Sequence, residues 1–115
     1  MRKIEAAMNK AIRRGGNFSN GNTTVQTVSY LDSQGVCREE SKVFLHGNPI
    51  ATYDHTSKEL YLFDGGWQSN TTKSRLNALC YEFAYGTSVF QKNWEWFVST
   101  SNGSDDFISG YKVAA

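Results

Sequence analysis

Apolar and polar residues repeat along this chain with two spacings, one typical of helices and one typical of strands. Near the start, Ile4, Met8 and Ile12 recur at the spacing that places side chains on one face of a helix. Gly15 follows directly after a basic turn, as expected of a residue that ends a helix. The pattern therefore predicts a first helix over residues 2–14.

The clearest helical signal lies in the second half of the chain. Leu76, Leu79, Cys80 and Phe83 form an apolar stripe with the spacing i, i+3, i+4, i+7, and threonines that can cap a helix precede it. We predict a second helix over residues 72–84.

Runs of alternating apolar and polar residues, separated by short turns rich in Gly, Asn, Asp and Ser, predict strands. Four of them lie between the helices as an antiparallel meander, and two follow the second helix. The expected fold class is α+β: a single domain over residues 1–115, with one antiparallel sheet, two helices packed on it and the order α-β-β-β-β-α-β-β. The predicted strands are Thr23–Leu31, Lys42–His46, Ile50–Asp54, Glu59–Phe63, Ser88–Thr100 and Phe107–Val113.

The charge of the chain is nearly balanced but unevenly distributed. The net charge is +1, which excludes an acidic DNA mimic and makes a histone-like polycation a poor fit. Residues 1–14 hold five cations and one acid, a local charge of +4, so the other 101 residues sum to −3. A basic last turn suits the negative end of a helix dipole, so this run needs no partner to explain it.

Nucleic acid is the alternative explanation for these cations. A helix, an antiparallel meander and a second helix follow each other in double-stranded RNA-binding domains, which present lysines at the start of the second helix to phosphates. Exposed N–H groups at that helix N-terminus would add donors for phosphate. Two further strands and a near-zero net charge count against this alternative, and the same cations could merely solvate a helix face. The phosphate-binding candidates are Thr72, Lys73, Arg75, Lys10, Arg13 and Arg14.

Aromatic residues suggest a different kind of surface. In the predicted strand Ser88–Thr100, Phe90, Trp94 and Trp96 share one face with Val98, while Phe97 lies on the other. One set can be core and the other exposed, unless helices cover both faces. Exposed tryptophan and tyrosine are typical of the residues that dominate protein–protein binding. The partner-binding candidates are Trp67, Trp94, Trp96 and Tyr85.

Residues that carry catalysis are sparse. His46 and His55 are the only histidines, and Asp54 precedes the second; a hairpin could bring them together for metal binding or acid–base work. However, the sequence lacks further ligands at metal-binding spacing, a Gly-x-Ser-x-Gly elbow and a phosphate-binding loop. We expect no enzyme and no cofactor; an enzyme built around these three residues ranks third.

The cysteines and apolar runs indicate a compartment. Cys37 and Cys80 lack CxxC spacing, and no signal peptide is recognisable, so we expect both to be reduced small apolar residues in a reducing cytoplasm. No apolar run approaches the ~20 residues that a membrane-spanning helix requires, so we expect no membrane.

Four strings of residues resemble small proteins of tailed bacteriophages, and the resemblance extends from Met1 to Gly110. Residues 31–41 do not match, which indicates a variable hairpin. The strings are LHGNPIA at 45–51, DGGWQ at 64–68, TTKSRLNA at 71–78 and VFQKNWEWF at 89–97.

The resemblance implies a context and no activity. It implies a short, non-structural phage protein in the cytoplasm of the infected bacterium, and such proteins commonly redirect or inhibit a host factor. The favoured function is therefore an accessory protein that binds a host macromolecule, with a host protein as the preferred partner, and does no chemistry. The runner-up is a nucleic-acid binder that uses Lys73, Arg75 and the cations of the first helix.

Overall fold

The computed structural model describes residues 1–113, which form two helices and two antiparallel sheets. Helix α1 spans Lys3–Arg13 and begins where Glu5 Oε1 accepts a hydrogen bond from the backbone N–H of Arg2. Helix α2 spans Asn70–Phe83, and its cap is Ser69, whose hydroxyl accepts from the N–H of Thr72. Both predicted helices are present, but the cap of α2 lies upstream of the threonines to which the sequence assigns it.

The larger sheet has six strands, in the order β1 Phe18–Asn20, β2 Thr23–Leu31, β3 Cys37–Leu45, β4 Asn48–Asp54, β5 Glu59–Leu62 and β9 Tyr111–Val113. The predicted strand Thr23–Leu31 is confirmed with its bounds. Strand β1 is absent from the predicted strands; it forms because its three residues pair with the start of β2, a tertiary contact that local sequence does not reveal.

The smaller sheet has three strands, β6 Ser88–Lys92, β7 Glu95–Thr100 and β8 Gly103–Asp106. The prediction of one long strand over Ser88–Thr100 is wrong, because the chain reverses at Asn93 and Trp94. The predicted strand Phe107–Val113 is also wrong in extent: β8 ends at Asp106, and only Tyr111–Val113 returns to the larger sheet.

The core lies between the two sheets and around the helices. Helix α2 contacts α1, β4 of the larger sheet and β6 of the smaller sheet, so it links the two sheets. The α+β class is confirmed, with one correction: the strands divide into two sheets, whereas a single sheet was expected. The buried apolar residues come from every layer and include Met8 and Ile12 of α1, Val43 and Leu62 of the larger sheet, Leu76 and Leu79 of α2, and Val98 of the smaller sheet.

Candidate protein-binding surface

Trp67 is exposed on a tightly bonded loop that leads into α2. Asp64 Oδ1 accepts from Gly66 N at 2.8 Å, and the carbonyl of Trp67 accepts from Ser69 N at 3.1 Å and from the Thr72 hydroxyl at 3.2 Å. Gly65 has a φ of 69°, and a Cβ there would lie 3.2 Å from Ile50 Cγ2. The backbone under Trp67 is therefore fixed, while the residue is 74% exposed.

Trp94 is exposed at the tip of the hairpin between β6 and β7. Lys92 pairs with Glu95, so Asn93 and Trp94 form a two-residue turn, with φ values of 53° and 67°. Such a turn needs positive φ at both positions, and its second position usually holds glycine. Trp94 adopts this disfavoured conformation and gains almost no burial, since it is 90% exposed.

A second turn in the same molecule provides the comparison. Strands β3 and β4 are joined by His46 and Gly47, also with positive φ at both positions. There glycine occupies the position that Trp94 occupies between β6 and β7. The fold can therefore make this turn without a tryptophan, so the indole of Trp94 is not required for the turn itself.

Both exposed tryptophans lie near the N-terminus of α2: Trp67 precedes the helix by three residues, and Trp94 borders Lys73 of its first turn. Gln68, which follows Trp67, lines an open cleft of about 320 Å³ with Trp94. Lys73 lines a second cleft of about 420 Å³ that also borders Trp94. We call this region, made of Trp67, Gln68, Lys73 and Trp94, the tryptophan surface.

The chemistry of the tryptophan surface is mixed. Its first cleft carries the carboxylates of Glu95 and Asp106 beside Gln68, and its second cleft carries Lys73 and Gln91. Large apolar side chains beside amides and charges of both signs suit another protein surface better than a uniformly charged ligand.

The other two aromatic candidates lie elsewhere. Trp96 is 5% exposed and packs edge-on against Phe107, with the ring centroids 5.6 Å apart, so its assignment to an exposed surface is wrong. The hairpin turn changes the register, and Phe90 stacks on Phe97 instead of sharing a face with Trp96. Tyr85 is 84% exposed, but it follows the C-terminal end of α2 and packs on Tyr81, away from the tryptophan surface.

Arg75 is buried and cannot be the phosphate ligand that the sequence suggests. Its residue is 3% exposed, and its Nη1 donates to Glu5 Oε2 at 2.8 Å. Nε donates to the Thr23 hydroxyl and Nη2 to Asn22 Oδ1, so α1, α2 and the start of β2 meet at one guanidinium. A buried charge requires such partners, and these leave Arg75 facing away from solvent.

Glu5 completes this buried pair. Burial by itself raises the pKa of Glu5, but hydrogen bonds from Ser74 and Arg75 outweigh it and hold that pKa below its ordinary value. Glu5 therefore carries its charge at neutral pH, and the pair joins residues 70 positions apart in the chain.

The remaining phosphate candidates do not form one surface. Thr72 is buried, and its hydroxyl is bonded within the loop that precedes α2. Lys73 lies at the N-terminus of α2, whereas Arg13 binds Glu82 at 2.7 Å and stacks over Phe83 at the C-terminal end. At ~1.5 Å per helical residue, these two ends are more than about 13 Å apart. Lys10 and Arg14 are exposed beside Arg13 at that far end.

In the enzyme hypothesis, His46 lies apart from the other two residues. His46 precedes β4 and His55 follows it, so a strand of seven residues separates them, roughly 20 Å at ~3.3 Å per residue. Asp54 Oδ1 accepts from the N–H groups of Thr56 and Ser57 and holds the turn.

His55 has a separate structural partner. Its Nε2 lies 2.7 Å from the Ser41 hydroxyl, which lies 2.7 Å from the Thr27 hydroxyl; Thr27 donates to the carbonyl of Gly16. Because Thr27 has one proton and gives it to Gly16, Ser41 must donate to Thr27 and His55 Nε2 must donate to Ser41. Ser41 is fully buried, so this chain of hydrogen bonds is structural.

Within residues 1–113, no three His, Cys, Asp or Glu side chains are grouped closely enough to hold a metal ion. Both cysteines are free thiols; Cys80 is buried as expected, but Cys37 is exposed at the start of β3. In the same part of the chain, no helix has the length and apolar character needed to cross a membrane.

Sequence reasoning missed two features of the tryptophan surface. Gln68 follows Trp67 in the chain and lines a cleft with Trp94, and it has no motif of its own. The turn at Asn93 and Trp94 had one signal, an asparagine, which accepts positive φ more readily than most residues. The unbroken alternation of aromatic residues on either side concealed it.

Comparison with known proteins places the chain in one family. No curated protein and no solved structure matches it. The model of the Kyanoviridae Gp96 protein family matches residues 1–114, nearly the whole length. The phage origin that the resemblance implies is therefore confirmed, and the chain belongs to the Kyanoviridae Gp96 protein family.

Proposed function

We propose that this chain is a non-enzymatic phage accessory protein that binds a host protein through the tryptophan surface. It acts in the cytoplasm of the infected bacterium and redirects or inhibits the protein that it binds. The observation that carries the proposal is Trp94: 90% exposed, and held at a positive φ that usually selects glycine.

The cost of Trp94 to the folded state supports a role in binding. A residue other than glycine in this backbone region costs on the order of 1 kcal/mol or more. In the free protein, an indole that is 90% exposed offsets little of this conformational cost through burial. Burial of the same indole under a partner can offset much more of this cost, since tryptophan is enriched among residues that dominate interface energies.

A protein suits this surface better than a small ligand or a nucleic acid. The clefts beside Trp94 are open, whereas small-molecule sites enclose most of their ligand. For nucleic acid, two exposed indoles could stack with bases. However, Lys73 is the cation that lines these clefts, while Glu95 and Asp106 line them with negative charge.

The test replaces Trp94 and follows one identified partner. A photoreactive group next to the turn captures host proteins, mass spectrometry identifies them, and the purified candidate is then titrated by calorimetry. Trp94→Gly should reduce its affinity by at least tenfold without loss of stability, because glycine suits this backbone position.

Tyr85→Ala is the matched control. Tyr85 is also a highly exposed aromatic residue, but it lies beyond the other end of α2. Its replacement should leave the affinity unchanged. If Tyr85→Ala weakens binding while Trp94→Gly does not, the tryptophan surface is the wrong site.

A mobility shift with single- and double-stranded DNA and RNA at two salt concentrations tests the alternative function. Phosphate contacts make log K fall with log salt at a slope of about −0.7 to −0.9 per contact. A salt-dependent shift that Trp94→Gly and Lys73→Ala abolish would replace the protein-binding proposal with nucleic-acid binding.

A further inference from the structure

The larger sheet has an open edge along the second half of β2. Strand β1 has three residues and pairs only with Thr23–Val25, whereas β2 continues to Leu31. On its other side, β2 pairs with β3 as far as Leu31 and Cys37. The outer side of β2 beyond Val25 therefore has no neighbouring strand among the described residues.

Hydrogen bonds show which backbone groups face this edge. Asp32 N donates to Val36 O across the hairpin, so even-numbered residues of β2 direct their backbone groups toward β3. Thr27 N donates outward instead, to the side-chain oxygen of Asn17. Ser29 and Leu31 have the same parity as Thr27, and within residues 1–113 their outward N–H and C=O groups have no hydrogen-bond partner.

This open segment lacks the features that usually protect a sheet edge. Natural edges carry lysine, proline or a bulge, which prevent pairing with another strand. Residues 27–31 contain none of these and no charged side chain. Three of the five, Val28, Tyr30 and Leu31, are instead exposed apolar residues.

We propose that this edge binds a second copy of the same chain, with the two β2 strands antiparallel about a two-fold axis at Tyr30. Ser29 of each copy then faces Leu31 of the other. Each such pair exchanges two backbone hydrogen bonds, so the dimer makes four. These bonds use all four outward groups of Ser29 and Leu31 in each copy and leave the bond between Thr27 and Asn17 intact.

The length of the open edge favours a second copy over an unrelated strand. Asn17 closes one end at Thr27, and the hairpin turn closes the other at Asp32. Apart from the outward carbonyl of Thr27, a longer strand would find no further free backbone groups in this segment. A second copy has the same short edge, carries no like charge against it, and brings the two Tyr30 side chains together at a closely spaced pair.

Sedimentation of the full chain over a range of concentrations tests the dimer. An interface this small lies at the weak end of specific interfaces, so we expect reversible dimerisation with a Kd on the order of 0.1 mM. Ser29→Pro removes one outward N–H per copy, two of the four bonds, and should raise the Kd by roughly tenfold or more. The pairing of β2 with β3 is preserved in this variant, since the N–H of Ser29 does not face β3.

A pair of matched lysine variants separates the edge from general surface effects. Leu31 is 70% exposed and Ile108 is 71% exposed, but only Leu31 lies on this edge. Leu31→Lys should make the chain monomeric at concentrations where Ile108→Lys still dimerises. A chain that stays monomeric near 1 mM, or a dimer that both lysine variants leave intact, would overturn the proposal.

Cross-linking tests the register. In a Cys37→Ser background, Tyr30→Cys should form a disulfide-linked dimer on mild oxidation, because residue 30 faces its own copy across the axis. Val28→Cys should not, because Val28 faces Asp32 of the second copy and lies four residues from its own counterpart. Equal cross-linking at both positions would exclude this register.

Discussion

Lys73 and Arg75 lie two residues apart in α2 but in different environments. Lys73 is partly exposed beside Trp94, whereas Arg75 is buried against Glu5 and Thr23. The sequence shows two cations in one helical turn, and nothing local tells them apart. The difference depends on a carboxylate 70 positions earlier, which is why sequence reasoning grouped both as phosphate ligands.

Removal of Arg75 should be strongly destabilising. Arg75→Met leaves Glu5 buried without its counter-charge, and loss of one member of a buried ion pair costs about 3–5 kcal/mol. Urea unfolding followed by far-UV circular dichroism measures this free energy. Lys73→Met is the control and should change it by no more than about 0.5 kcal/mol. A loss below about 1 kcal/mol for Arg75→Met would show that the pair is not buried.

Stability should also fall in acid. The pKa of Glu5 is lower in the folded state than the ordinary value of 4.5, so its contribution is complete above the unfolded pKa. It is lost as pH falls through the folded pKa, below 4.5. Burial raises the pKa of Asp54, but hydrogen bonds from Ser57 and Thr56 lower it by more, so its net pKa is below the ordinary value. Asp54 therefore also stabilises the fold at neutral pH and loses this contribution in acid.

Urea midpoints measured between pH 7 and pH 3 check the acid dependence. Glu5→Gln should be less stable than the wild type at pH 7 and lose less stability on acidification, with Asp54 accounting for part of the remaining slope. The assignment fails if the variant and the wild type show the same slope.

At the scale of elements, the hairpin between β6 and β7 has the most consequences. Its turn fixes the register that buries Trp96 and Val98 and exposes Trp94. An alternation of apolar residues that continues through a two-residue turn resembles one long strand. Periodicity alone therefore gives the wrong face for each aromatic residue after Asn93.

Replacing Trp94 with glycine should stabilise the free protein. Glycine adopts positive φ without a steric penalty, so Trp94→Gly should raise the free energy of unfolding by ~1 kcal/mol. Thermal and urea unfolding measure the change. Gly47→Ala, at the equivalent position between β3 and β4, should lower stability for the converse reason. A destabilised Trp94→Gly would mean that the indole packs in the free protein.

The elements that the sequence predicted are those with local signals. Helix α2 has a complete apolar stripe, and the meander from β2 to β5 has a turn signal at each break. Strand β1 escaped prediction because three polar-flanked residues become a strand only through pairing with β2. Of the binding candidates, Trp67 and Trp94 are exposed as predicted, but the position of Trp94 beside the N-terminus of α2 depends on tertiary packing.

At the scale of the whole molecule, the two cysteines differ in when a reagent can reach them: Cys37 in the folded state, and Cys80 only after unfolding. Cys37 is exposed, whereas Cys80 is fully buried in α2 and burial raises its pKa to about 12. A reagent that reacts with thiolates should rapidly modify one thiol per chain at pH 8, that of Cys37. The second should react only at the rate of global unfolding.

Mass spectrometry with a Cys37→Ser control locates the modified residue. That variant should show no fast phase, and added urea should accelerate the slow phase. A rapid second modification in the wild type would show that α2 opens locally without global unfolding.

The buried pair between Glu5 and Arg75 has a further consequence during synthesis. Until the ribosome has translated α2, the carboxylate of Glu5 lacks Arg75, and α1 can pack on β1 and β2 but not on α2. Arg75 and the apolar stripe of α2 leave the ribosome only later. The part of α1 that packs on α2 therefore stays uncovered and accessible to chaperones until α2 is made, and the fold is completed only late in translation.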